Sequence, residues 1–274
     1  MRFWMLVGLA ATAAGAFAAG YDDFAMGVEA NEESKSDIAI ASFTKALKDG
    51  DLAATYVPTA YYGRAIAYLR KQNCFLSRND ASEAIRLKPD YFDAYLLRVN
   101  LDNCMHDDEA QAADIAAGLA LKPDVTLLKS RAILKWRKGD FAGSAGDFAA
   151  AAKAPPLDTS LYLWSAAALM HAGTYDPAGF AQRTADVRSR DWPGPVFDLY
   201  LGKSTPEAVL VRIAKDDPAG RELRKCQADF FIGEWHLWRL EKDAAKSEFF
   251  DAANECRGTV FLRRMAMLEY TKLN

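Results

Sequence analysis

The phrase Leu-Lys-Pro-Asp occurs twice, at Leu87-Lys88-Pro89-Asp90 and Leu121-Lys122-Pro123-Asp124, with its prolines 34 residues apart. Self-similarity at that period marks a stacked helix-turn-helix array, in which one helix pair is too small to bury its own apolar face and leans on the next. The period therefore predicts an all-α solenoid. At 274 residues, 51% of them apolar, the chain can bury a large core.

The array can be followed along the chain. Residues 21–50 read as two helices, the second with Ala39, Phe43, Ala46 and Leu47 on one face, and Asp49-Gly50 and Pro58 punctuate a long connection after it. The second unit runs from Thr59 to Asp90 and turns near Gln72-Asn73. The third runs from Tyr91 to Pro123, and the fourth from Asp124 to Pro156 through Gly139-Asp140-Phe141. A fifth, Thr159 to Arg190, has the turn Gly173-Thr174-Tyr175 and a second helix weakened by Pro177 and Gly179. The period then breaks at Asp191-Trp192-Pro193-Gly194-Pro195, so residues 191–220 are expected to be a non-repeat linker with short helices. One of these should open where Ser204 caps and Glu207 completes a capping box. A sixth unit (Arg221 to Ala253) and a capping helix (Thr259 to Leu273) complete residues 221–274.

An aromatic near each start, small residues where helices cross, Gly-Asp-aromatic at the turn and proline after the second helix make these units resemble tetratricopeptide repeats. The resemblance implies a right-handed solenoid of about six units, five of them within residues 19–190.

The first residues point to export. Arg2 precedes the apolar Phe3-Trp4-Met5-Leu6-Val7-Gly8-Leu9, and an alanine-rich run ends in Ala16-Phe17-Ala18. That is the small-x-small pattern of a cleaved signal peptide spanning 1–18, with an uncleaved anchor as the alternative. No cysteine precedes Cys74, so the cleavage site offers none for lipid attachment, and the expected location is the periplasm, with no stable membrane anchor once the segment is cut. The 34 basic and 37 acidic residues are dispersed, with no basic run to track a phosphate backbone, so nucleic acid is not the expected partner.

Cys74, Cys104, Cys226 and Cys256 form two pairs of equal separation, without Cys-x-x-Cys spacing or a histidine cluster. Cys226 opens one helix of the sixth unit and Cys256 follows the other, so an antiparallel hairpin brings them within bridging reach. Cys74 and Cys104, placed near the ends of first helices in adjacent units, are expected to form a second bridge, four free thiols being the alternative.

Three units carry an arginine on the first helix and an aspartate 16 residues later: Arg64 and Asp80, Arg98 and Asp114, Arg131 and Asp147. They are expected to be internal two-pronged staples, the other reading being a row of cations along a ligand groove. His106 before Asp107-Asp108-Glu109 is read as a polar turn rather than a metal site. No nucleophile elbow, phosphate loop or zinc-protease motif occurs, so no catalytic residue, metal or cofactor is assigned.

A binding surface remains. Transferring the usual groove positions of tetratricopeptide first helices gives Tyr62, Ile66 and Arg70; Leu96 and Asn100; Lys129, Ile133, Trp136 and Arg137; Trp164 and His171; Phe231, Glu234 and Trp238. Rings beside a few cations suit an extended peptide or partner helix. Trp192-Pro193, the run from Leu199 to Lys203, the run from Cys226 to Gly233 and the tail to Tyr270 resemble the closing section of periplasmic tetratricopeptide proteins related to the NlpI lipoprotein. That resemblance implies an envelope adaptor that scaffolds cell-wall hydrolases and their processing protease. The alternatives are an enzyme or enzyme subunit with a site near 191–220, and a self-associating structural protein such as a homodimer.

Overall fold

A computed structural model describes residues 7–48, 50–155, 157–187, 191–215, 217–256 and 259–274, without the side chains of 7–19, 102 and 103. Arg2, Asp49, Pro156 and Arg190 lie outside the described residues, as do the side chains on which the signal-peptide reading rests. Every element among the described residues is a helix. None of these helices is long and apolar enough to cross a membrane. The chain divides into two compact units, residues 1–130 and 131–274.

The first unit contains α1 (Val7–Glu32), α2 (Ser36–Lys48), α3 (Val57–Arg70), α4 (Cys74–Leu87), α5 (Phe92–Asn100), the single turn α6 (Asp102–Met105) and α7 (Asp108–Leu121). The division falls within α8 (Val125–Arg137). Helices α1 and α2, α3 and α4, and α5 and α7 pack as successive pairs. Close crossing is achieved with small residues: Ala60, Ala65, Ala67, Ala81, Ala84 and Ala94 are all fully buried. The Phe43 ring fills the slot this leaves. A Cβ at Gly27 would stand 2.8 Å from that ring and one at Gly63 2.5 Å from it, so ring and helices interlock only because both positions lack a side chain.

The turn inside each pair is also a repeated device. Gln72, His106, Gly139, Gly173 and Leu240 all have positive φ, between 52° and 81°. The next residue caps the second helix in three of them: Asn73, Asp107 and Asp140 each accept a hydrogen bond from the backbone N–H three residues on. Reversal through one left-handed residue followed by a side-chain cap is the physical content of the Gly-Asp-aromatic signal. It also explains His106-Asp107 as a turn.

The second unit adds α9 (Phe141–Ala152), α10 (Ser160–His171), α11 (Pro177–Arg183), α12 (Gly194–Tyr200), α13 (Pro206–Lys215), α14 (Arg221–Trp238), α15 (Lys242–Glu255) and α16 (Val260–Lys272). Nine of the twelve residues of α10 are buried, which makes it a central helix rather than the lining of an open face. The 191–220 stretch, expected as a linker, contributes Val196, Phe197, Leu199, Tyr200, Val209 and Ile213 to this core. It is tied to α14 by Trp192 Nε1 donating to Gln227 and Tyr200 Oη donating to the Phe231 carbonyl. Thr205, not Ser204, caps α13: its hydroxyl accepts from the Ala208 N–H, because the helix begins one residue later than the capping-box reading required.

Leucine is poorly suited to the left-handed region, and Leu240 is 83% exposed, so its side chain contributes little packing in exchange. Leu240→Gly should raise stability by roughly 0.5–1 kcal/mol and Gly139→Leu should lower it by about 1–2 kcal/mol, as read by urea unfolding of the oxidised chain.

Candidate functional site

The arginines and aspartates meet within their helix pairs. Arg64 donates through Nε and Nη2 to the two carboxylate oxygens of Asp80 at 2.7 and 2.8 Å. Arg98 grips Asp114 in the same two-pronged way and also reaches Ser82. Arg131 donates to Asp147 at 2.9 and 2.7 Å, with Lys135 adding a third contact. All three aspartates are buried. Burial works against ionisation of Asp147, yet Arg131 and Lys135 hold it below the usual carboxylate range. Each guanidinium is thus committed to the carboxylate of its own helix pair, and Arg64 and Arg98 add a bond to Thr44 and Ser82 on the preceding helix, so these three do not form a free cationic row.

Cys74 is bonded to Cys104 and Cys226 to Cys256, with Cα separations of 6.5 and 5.3 Å. The first pair is not placed at the ends of first helices. Cys74 opens α4, and Cys104 sits in α6, the extra turn that follows α5.

The groove positions separate into two groups. In the first unit Tyr62, Ile66, Leu96 and Lys129 are half-buried, and Arg70 and Asn100 are exposed. Tyr62 packs against Tyr91, with ring centroids 5.1 Å apart, and Arg70 donates to the Asn31 carbonyl. In the second unit Trp136, Trp164 and Phe231 are buried, which corrects their reading as binding rings. The cause is that α14 and α16 pack on α10, and α16 also reaches Trp136. The Trp164 ring lies 4.6 Å from Phe230, 5.3 Å from Phe231 and 5.1 Å from Phe261. Ile133 and Arg137 are half-buried beside them, and Trp238 is partly exposed, with its ring against Tyr175.

His171 and Glu234, two more of the groove positions, belong to a buried polar cluster. His171 Nε2 lies 2.8 Å from Glu234 Oε2 and 3.8 Å from Glu269 Oε2. Trp136 Nε1 and Lys272 Nζ each donate to Glu269 Oε1 at 2.8 Å. The imidazole stacks on Phe141 at 4.6 Å and meets the edge of Trp136 at 4.9 Å. Burial pushes the Glu234 carboxyl above its ordinary range. Burial opposes charge on His171, but attraction to Glu234 and then Glu269 outweighs it and holds the imidazole above its ordinary value. The pair therefore retains a shared proton to higher pH than either group does in water. Glu269 had no sequence signal: on α16 it reads as one polar residue of a capping helix.

A second acidic group surrounds the Cys226–Cys256 hairpin. Lys225 bridges Asp229 at 2.9 Å and Glu255 at 2.8 Å. Burial, opposed by Lys225, pushes Asp229 up to about 6, and burial with repulsion from Asp229 and Asp251 pushes Glu248 up to about 7.

No family model matches the sequence. Among solved structures the chain is similar to a tetratricopeptide repeat protein from Parabacteroides merdae, at 18% identity over 90% of this chain and 82% of that one, with a TM-score of 0.47. It is also similar to the APC/C hetero-tetramer Cut9-Hcn1 (13% identity, TM-score 0.47) and to Naa15/Naa10 bound to HypK-THB (12% identity, TM-score 0.48). It covers 93% and 91% of its own length in these two matches but only 42% and 39% of those chains.

Two outcomes follow from the ion pairs and the acidic group. Arg98→Leu should cost about 3 kcal/mol by stranding Asp114, and adding Asp114→Leu should recover more than half of it, as measured by a double-mutant cycle in urea. Glu248, raised in the folded state, holds its proton to higher pH than in the unfolded chain, so its ionisation destabilises progressively from about pH 4.5 to beyond pH 7. Glu248→Gln should therefore leave stability unchanged at pH 4 and raise it by about 1 kcal/mol at pH 8, solvent screening part of the penalty.

Proposed function

We propose that the chain is an exported scaffold that holds protein partners in a bacterial cell envelope. The observation that carries this reading is in the first unit. Its Arg–Asp pairs are spent inside the helix pairs, while Tyr62 and Leu96, 34 residues apart on successive first helices, stay half-exposed beside Arg70 and Asn100. Rigid apolar anchors at a fixed repeat, rimmed by polar groups, suit an extended peptide or a partner helix.

Export through a signal peptide cut before Ala19 is supported by the two disulfides, which fit an oxidising compartment. The likeness of the 192–270 segment to NlpI-related proteins supports cell-wall hydrolases and their processing protease as the partner class. Several segments captured along one surface would raise the local concentration of one protein for another without any catalytic step.

The test is affinity capture from cross-linked envelope extract with the oxidised exported protein. Wall hydrolases or a periplasmic protease should be recovered, and Tyr62→Ala with Leu96→Ala should reduce recovery at least tenfold at unchanged helicity. Recovery of the same proteins by the double variant, or of the chain alone, would contradict the reading.

A further inference from the structure

We propose that His171, Glu234 and Glu269 form a binding site for one divalent transition-metal ion of the zinc type, tying α10, α14 and α16 together. The three side chains come from three different helices and offer one ligand atom each, all within 4.8 Å of one another. With bonds of about 2.0–2.2 Å, ligand atoms around a tetrahedral zinc stand about 3.3–3.5 Å apart. The His171 distances of 2.8 and 3.8 Å bracket that value.

An independent observation points to a cation. The Glu234 side chain is fully buried, and its Oε1 has no hydrogen-bond partner among the described residues although Oε2 is engaged by His171. An orphaned carboxylate oxygen in a sealed site is costly, and a cation in the cluster would satisfy it. The surrounding groups are arranged as supports. Trp136 and Lys272 both occupy Glu269 Oε1, which fixes that carboxylate and leaves Oε2 on the side facing His171. Such outer hydrogen bonds orient ligating carboxylates and tune their affinity.

The donor set selects the ion. One imidazole and two carboxylates suit zinc and its neighbours in the first transition row. Calcium and magnesium are disfavoured, since they seek six or more oxygen ligands. Facing helices of a bundle are a common frame for such sites. His106 and His236 do not share this setting: His106 occupies a turn, and His236 pairs with Glu241 at 2.6 Å.

The test uses the intact, oxidised, tag-free chain and zinc chloride alone. After equilibration at low micromolar zinc and rapid desalting, metal analysis should find one equivalent per chain. The melting temperature should rise by several degrees with zinc and fall back with a chelator. In the histidine 15N spectrum, zinc should shift Nε2 of one ring, the one missing in His171→Gln. Glu234→Gln, nearly isosteric, should weaken binding at least tenfold at unchanged helicity. Absence of retained zinc, or a shift at His106 or His236 instead, overturns the proposal on the intact chain even where a variant fails to fold. Equal retention by wild type and folded Glu234→Gln overturns it as well.

Discussion

The contact on which the first half of the chain depends is a guanidinium held by both oxygens of a carboxylate across an antiparallel helix pair. It requires a fixed register, because a slip by one residue turns the arginine roughly 100° around its helix and away from the aspartate. Arg64 with Asp80 and Arg98 with Asp114 set that register in successive pairs, and Arg131 with Asp147 repeats it in the second unit. Ring and glycine share the spacing: Phe43 lies against Gly27, and Phe249 against Gly233, each 16 residues apart.

The second unit uses the same local devices toward a different end. Trp136 on α8 and Trp164 on α10, expected as groove rings, are covered instead, Trp164 by α14 and α16 and Trp136 by α16. Trp136 donates across 133 residues of sequence to Glu269, and Trp164 is ringed by Phe230, Phe231 and Phe261. The result is a unit with a sealed aromatic core and a polar cluster inside it. Tyr62 and Leu96 of the first unit keep exposed surface, which is why the proposed binding role falls there.

Much of the fold was legible because its determinants are local and repeated. The Leu-Lys-Pro-Asp period, the turn residues and the Arg/Asp spacing each act within one helix pair, so a single unit carries the full signal. What could not be read is what one segment does to another far along the chain. Trp136 looks the same in sequence whether it faces solvent or α16, and in the fold it lies against Phe141, Trp164 and His171 and donates to Glu269. The polar cluster was hidden for the same reason: His171, Glu234 and Glu269 are far apart, with no ligand spacing among them. The 191–220 stretch carries the prolines and glycine of a link together with two short helices, and Phe197 and Tyr200 bury themselves against the core, a contact that only the folded second unit reveals.

The rings of the second unit form a closed core while the apolar positions of the first unit's first helices stay accessible. Hydroxyl-radical footprinting of the intact oxidised chain, read residue by residue in a mass spectrometer, tests it without any substitution. Trp136, Trp164 and Phe231 should be protected while Trp238, Phe75 and Phe250 are oxidised rapidly, with Tyr62 and Leu96 in between. Oxidation of Trp136 and Trp164 as fast as Trp238 would contradict it and return those rings to an open groove.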